Sequence, residues 1–378
     1  MPSPDSRKII FLSNHAWGTA NKAGFHLLAE SYAALGHQVT FVTTGLSYFS
    51  VLRRDVRLRT GRPRNRLVRE GERLDSYLHF TPLHPHSLVV GLLNRLTAPL
   101  VRRYAAYSLG EAEARIREAD VVFFESCSAV ALVKRVRALN PSAKLVYRAS
   151  DVITCMRSIH PEMVNVEQEM LPLFDLVSVP TPTMVSRFER ARRVTVHFHG
   201  VQKNLFDSAT ESPYRDPARR NCVFVGMGYL DEAFLRAAAH DFPEVRFHII
   251  GPVADRVAAP NVRYYGRLPF ADTVPYIKYA DVGLFVCRTS DQEVLRSYGH
   301  SLKMRQYAYA GLPIVLPSGI PTEERGNLFR YDYDDETSVR SALSGALSVS
   351  RDPVTNEHVD DWRDVAKKIL EDLCNSST

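Results

Sequence analysis

The stretch Lys144-Leu-Val-Tyr-Arg-Ala-Ser-Asp151 drives an apolar strand straight into an ionisable side chain. One helix earlier, Asp120-Val-Val-Phe-Phe-Glu-Ser126 does the same with Glu125. Short runs that are apolar on both faces belong to parallel sheets covered by helices on either side. In such open α/β sheets reacting groups gather beyond the carboxyl ends of the strands, so Glu125 and Asp151 are expected to face one cleft. An acid in that place equally suits the N-cap of the next helix, and position alone leaves cap and catalyst level.

The alternation extends outward from this pair. Upstream, the strand Lys8-Ile-Ile-Phe-Leu-Ser13, a helix over Ala23 to Leu35 closed by Gly36, and the strand Gln38 to Thr43 form one βαβ unit. Downstream come helices near 129–139, 161–174 and 183–190, with strands near 176–179 and 194–198. The polar stretch 207–220 reads as a linker, after which the pattern restarts: strands near 222–226, 246–250, 262–265, 282–286 and 314–316 alternate with helices near 232–241, 270–278, 301–310 and 337–349. A final amphipathic helix occupies the tail from Asn356 to Cys374, with Val359, Trp362, Val365, Ile369, Leu370 and Leu373 on its apolar side.

A chain of 378 residues exceeds what one core usually supports. Two doubly wound, Rossmann-like parallel-sheet domains are therefore expected, 1–206 and 221–355, with the terminal helix 356–378 placed to cross back to the first. Five scattered cysteines without a C-x-x-C pair argue against a disulfide framework or a zinc site, and no run of 18 apolar residues is present to span a bilayer.

The net charge of +6 is modest, but its distribution is uneven. Between Arg53 and Arg73 nine arginines face three acids, and the following window carries Leu88, Leu92, Leu93 and Leu96 at helical spacing beside Arg95, Arg102 and Arg103. A basic loop followed by a basic amphipathic helix suits an anionic membrane surface; a solvated loop followed by an ordinary packed helix is the plainer alternative. Nucleic acid is not expected, because no aromatic residues interleave with the arginines as a stacking platform requires.

The second domain carries the longer motif, His300-Ser-Leu-Lys-Met-Arg-Gln-Tyr-Ala-Tyr-Ala-Gly-Leu-Pro-Ile-Val315. Ser301, Leu302 and Lys303 fall at a helix N-terminus, where free N–H groups and the helix dipole favour phosphate and Lys303 adds a full charge. Gln306, one turn on, is spaced to reach ribose hydroxyls. Two weaker signals are discounted. Asp332-Tyr-Asp334 has the D-x-D form of a metal site but reads as helix capping and solvated charge, and His197 with His199 lacks a third ligand.

At this point the chain resembles the xanthan-type bacterial glucuronosyltransferases, peripheral membrane enzymes of the GT-B architecture. The resemblance rests on Val122-Phe-Phe-Glu-Ser126, Asn140 to Asp151, His199-Gly-Val201 with Asn204-Leu205, Val225-Gly226, Tyr276-Ile-Lys278, Leu302-Lys303, Gln306-Tyr307 and Gly311-Leu-Pro313. It implies Asp151 as general base, nucleotide-sugar contacts from Leu302, Lys303 and Gln306, a polyprenyl-diphosphate-linked saccharide as acceptor, and a membrane-facing segment at about 46–104. It also implies inverting transfer in exopolysaccharide synthesis at the cytoplasmic face of the inner membrane, with no cofactor beyond a UDP-sugar donor and no metal. The full donor set expected is Gly226, Met227, Arg267, Leu268, Cys287, Ser301, Leu302, Lys303 and Gln306. Glu125 is a second candidate base or an acceptor-orienting group, and Asn14 and His15 are candidate acceptor contacts. The chain departs from the family's pattern at Cys287, where the family has tyrosine, near Met227 and Gly228, and at Gln202, where it has aspartate.

Overall fold

The computed structural model describes residues 6–19, 22–88, 90–156, 158–216, 218–226, 230–254, 256–322, 326–349 and 358–375, with the side chains at 293 and 297 excepted. It divides into two compact units: residues up to Phe198 together with Trp362 onward, and His199–Asp361.

The first unit is built on an eight-stranded sheet. Its strands are β1 (Lys8–Ser13), β2 (Gln38–Ser47), β3 (Leu67–Gly71), β4 (Leu74–Thr81), β5 (Val121–Glu125), β6 (Lys144–Arg148), β7 (Leu176–Val179) and β8 (Val194–Val196), in the order β3-β4-β2-β1-β5-β6-β7-β8. All neighbours run parallel except the β3–β4 hairpin. The central strands are apolar on both faces because both faces are covered. Phe11 pairs with Phe123 and Phe41 on its two sides, and its ring stacks on Phe123 at 4.8 Å. On one face this aromatic row meets Phe25 and Tyr32 of the helix Gly24–Ala34. The C-terminal helix Trp362–Cys374 lies on that helix too: the Tyr32 hydroxyl donates to the Ala366 carbonyl at 2.9 Å, and Ile369 and Leu373 are buried. The terminal helix thus returns to the first unit.

The second unit holds a fully parallel six-stranded sheet of β9 (Asn221–Val225), β10 (Arg246–Ile250), β11 (Val262–Gly266), β12 (Val282–Leu284), β13 (Ile314–Pro317) and β14 (Leu328–Tyr331), in the order β11-β10-β9-β12-β13-β14. Tyr307, from the helix Leu302–Tyr309, is buried against this sheet; its hydroxyl accepts from Val225 N at 3.2 Å and donates to the Val223 carbonyl at 3.1 Å. Tyr214, in the stretch read as a linker, hydrogen-bonds through its hydroxyl to the Tyr276 carbonyl at 2.6 Å.

The sequence pattern places the central strands well and the irregular elements poorly. The helix expected near 129–139 opens as a 3₁₀ turn over Ser128–Leu132 and continues as an α-helix over Val133–Leu139, that expected near 183–190 is 3₁₀ over Pro182–Phe188, and the helix Gln292–Tyr298 and strands β3 and β14 are additions. Each sheet has one topological switch point, where strand order reverses: β1/β5 in the first unit and β9/β12 in the second.

Candidate active site

At the first switch point β1 ends in Ser13 and β5 in Glu125. The Ser13 hydroxyl donates to Glu125 Oε2, and Ser13 Oγ itself accepts from His15 N at 2.9 Å. His15 Nε2 lies 3.5 Å from the other carboxylate oxygen, Oε1. Glu125 is 4% exposed. Desolvation raises its carboxyl above the usual range against the opposing pull of His15 and Ser13, while Asp151 pushes in the same upward direction. Asp151 follows β6 and is held by its own backbone, whose N–H donates to Ser126 Oγ at 3.0 Å. Its side chain reaches solvent yet stands in a desolvated recess, so its carboxyl is also raised, with His15 opposing. The open side limits that rise, because water there screens the charge.

Neither acid is a helix cap. The 3₁₀ turn Ile153–Cys155 after Asp151 has Val152 at its N-cap with no side-chain bond, and the turn Ser128–Leu132 after Glu125 is capped by Cys127. The capping alternative for Asp151 therefore falls. Asn14 stands beside the pair with its carbonyl held by Arg57 Nη1 at 2.7 Å, and it lines a neighbouring pocket of about 300 Å³. Ser13, which bonds the Glu125 carboxylate, and Ser126, which accepts from the Asp151 backbone amide, are not singled out by the sequence; a serine at the end of an apolar strand is the signal that points to them. Arg148 was also missed. It is fully buried, with Nη1 donating to Ser178 Oγ at 2.8 Å and the His197 carbonyl at 2.7 Å.

At the second switch point Gly226 follows β9, and Cys287 follows β12. Lys303, in the first turn of the helix Leu302–Tyr309, extends its ammonium between the rings of Phe224 and Phe285, at 4.2 and 4.8 Å from their centroids. A Cβ at Gly226 would sit 2.7 Å from Lys303 Nζ, so a larger residue there would displace the ammonium from this position. Among the described residues no carboxylate pairs with this ammonium; burial lowers its pKa to about 8, and the Cys287 thiol opposes the shift. Ser301 caps the helix through Met304 N at 3.5 Å, while the leading amides of Leu302 and Lys303 lack intrahelical acceptors. Together these groups form a cationic, amide-lined place for an anion.

The other members of the expected donor set divide. Gln306 is buried one turn beyond Lys303. The Cys287 carbonyl accepts from Tyr333 Oη at 2.8 Å, and burial pushes its thiol up to about 12, which keeps it neutral. Leu268 packs into the apolar core, whereas Arg267 is exposed after Gly266. Met227 lies outside the described residues. Asp231 was not anticipated: it is 1% exposed, caps the helix Glu232–Asp241 and accepts from Tyr331 Oη at 2.9 Å and Arg288 Nε at 3.1 Å.

The discounted signals have separate employments. Asp334 pairs with Arg288 at 2.8 Å, and the cap of the following helix is Asp335 rather than a residue of the D-x-D. His197 lies between Ser178 Oγ, 2.9 Å away, and Asp372 Oδ2, 3.1 Å away. Among the described residues no group of three His, Cys, Asp or Glu side chains is arranged to hold a metal ion.

The basic segment is less uniform than its composition implies. Arg57 pairs with Asp55 at 2.6 Å, Arg62 with Glu70 at 2.5 Å, Arg66 with Glu111 at 2.6 Å and Arg69 with Asp75 at 3.3 Å, so much of the charge staples β3 and its neighbours. The apolar face beside it is open: on the helix Gly91–Arg103, Leu92 is 65% and Leu96 68% exposed, and Leu52 of the helix Tyr48–Leu52 is 81% exposed. No helix is long and apolar enough to cross a membrane among the described residues.

Residues 11–180 match the family model described as the N-terminal domain of the glucuronosyltransferase GumK. The UDP-glucuronate:glycolipid 2-beta-glucuronosyltransferase of Xanthomonas campestris pv. campestris is 30% identical over 366 residues, 96% of this chain and 89% of that protein. Among solved structures, sucrose-phosphate synthase from Thermosynechococcus elongatus aligns over 98% of this chain and 100% of its own with a TM-score of 0.62 and 13% identity. A UDP-forming trehalose-phosphate synthase from Burkholderia xenovorans aligns over 97% and 100% with a TM-score of 0.61 and 13% identity. The structural likenesses establish the GT-B fold, and the sequence match establishes kinship: the chain belongs to the GumK family of glucuronosyltransferases.

Proposed function

We propose that this enzyme transfers glucuronate from UDP-glucuronate to a hydroxyl of a lipid-linked saccharide with inversion at the anomeric carbon. Asp151 takes the proton of the acceptor hydroxyl as its oxygen attacks, and the electron pair of the anomeric C–O bond leaves with UDP. Lys303 and the amides of Leu302 and Lys303 hold the charge that develops on the departing diphosphate, a task that needs no metal ion. Glu125, held by Ser13 and His15, orients the acceptor beside Asp151. The observation that carries this reading is the uncapped, solvent-reaching Asp151 with its raised carboxyl at the switch point, next to a second, locked carboxylate.

The donor follows from the Xanthomonas relative, whose name specifies UDP-glucuronate and a β-linked product. UDP-glucuronate itself carries an α bond, so a β product means inversion. A glycolipid acceptor, together with the exposed leucines of Gly91–Arg103 and the arginines around them, supports peripheral attachment to an anionic membrane at its cytoplasmic face, in exopolysaccharide assembly.

The test is UDP release from UDP-glucuronate with a lipid-linked saccharide, with the anomeric configuration of the product read by NMR. A β product that disappears in Asp151→Asn is expected. An α product, or unaltered turnover in Asp151→Asn, refutes the inverting assignment.

A further inference from the structure

Two acids at one switch point pose an electrostatic problem. Glu125 and Asp151 act on each other in a desolvated recess, and carboxylates held close oppose each other's ionisation. A general base has to be ionised, so a charge on Glu125 works against Asp151 unless a cation meets it.

His15 is placed to be that cation. Its backbone is held from two strands: the N–H donates to Ser13 Oγ of β1 at 2.9 Å, and the carbonyl accepts from Thr43 Oγ1 of β2 at 3.0 Å. The ring then brings Nε2 to 3.5 Å from Glu125 Oε1, while the Ser13 hydroxyl occupies Oε2. The His15 side chain is 43% exposed and that of Glu125 6%, so a proton reaches the ring from solvent while the carboxylate stays buried. Desolvation raises both carboxyls, and His15 opposes the rise at both.

The other ionisable groups near the ring do not compete for this role. His26 of the helix Gly24–Ala34 lies 5.7 Å away ring to ring, and burial, with the His15 charge pushing the same way, lowers its pKa to about 4. Burial pushes the Cys127 thiol up to about 12 and keeps it neutral. Arg57 is paired with Asp55 at 2.6 Å, and Lys22 with Glu30 at 2.6 Å.

We propose that His15, as an imidazolium, is the counter-charge of Glu125 that leaves Asp151 ionised for its work as base. It is a positioning residue, acting through Asp151 and not on the acceptor, and this role rests on the base assignment proposed above. An imidazole suits the task because it is charged in the acid range, where a carboxylate base is at risk of protonation, and neutral above it, where the risk has gone.

The experiment compares the full chain with His15→Gln, which keeps a polar end without a charge, and His15→Lys, which keeps the charge without the ring. Carboxyl-carbon NMR of aspartate-labelled protein follows Asp151 without turnover, its signal assigned by its loss in Asp151→Asn. The Asp151 titration is expected to move to higher pH in His15→Gln and to stay near its original position in His15→Lys. In UDP release with the lipid-linked saccharide, His15→Gln is expected to lose about tenfold on the acid limb relative to its own plateau, with the acceptor KM unmoved, and His15→Lys to recover the limb. An Asp151 titration indifferent to His15→Gln overturns the counter-charge, as does a lysine variant that behaves like the glutamine one. A loss carried by the acceptor KM at every pH also overturns it, because His15 then contacts the acceptor. The NMR readout separates the two readings: an Asp151 signal that moves as expected in a protein releasing no UDP refutes the transfer reading and upholds the charge pair.

Discussion

The two switch points have the same topology and opposite chemistry. In the first unit two carboxylates meet, one locked by Ser13 and His15 and the other open to solvent. In the second an ammonium lies between two aromatic rings, with no carboxylate among the described residues paired to it. A doubly wound sheet supplies the position, and the side chains brought there, from strand ends in the first unit and from a helix N-terminus in the second, set its chemical character.

The sharpest way to break this division is Asp151→Asn. Turnover is expected to fall by about 10²- to 10⁴-fold while UDP affinity is unchanged; a matching loss of UDP affinity would show that the first unit also serves the donor. The converse, Lys303→Ala, is expected to weaken UDP by roughly 10- to 150-fold, the worth of one charge-assisted hydrogen bond, as measured by titration without acceptor. Glu125→Gln tests whether the locked acid exchanges a proton or only orients: a fall of kcat within about 100-fold, with the acid limb of the pH profile retained, fits orientation.

A pH series sharpens the contrast with the smallest change per step. On the proposed mechanism Asp151 works deprotonated; its carboxyl is raised, so turnover is expected to fall as pH drops through that raised value. On the same mechanism Lys303 works protonated; its pKa is about 8, so UDP affinity is expected to fall as pH rises beyond about 8, by at most about tenfold per unit for a single linked proton. Both effects on the same limb would contradict the separation.

The elements that the sequence makes legible are those whose environment is uniform. Val121–Glu125 and Lys144–Arg148 are apolar because both faces are covered, and an acid following such a strand stands out. The motif 300–315 is legible because strand, loop, lysine and glycine follow one another locally. What the sequence hides depends on distant partners. Arg57 looks like any arginine of a basic run, and only the fold brings it to Asp55 and the carbonyls of Asn14 and Gly45. Arg148 sits in a strand whose burial is evident, yet its polar partners, Ser178 and the His197 carbonyl, come from two other strands' worth of chain. Leu328–Tyr331 escapes notice because its edge position leaves it half-buried and without alternation. At Asp151, the cap reading turned on whether a regular helix follows, and a short 3₁₀ turn with Val152 at its N-cap does instead.

The return of Trp362–Cys374 to the helix Gly24–Ala34 imposes an order on biosynthesis. A nascent chain that has completed β8 still lacks the layer that covers Tyr32, and the ribosome must thread the whole of His199–Asp361 before Ile369 and Leu373 can bury themselves. The later-made unit is free to mature while the earlier one waits, so a premature stop after Asp361 would strand the first unit with exposed apolar surface, an aggregation hazard that spares the second.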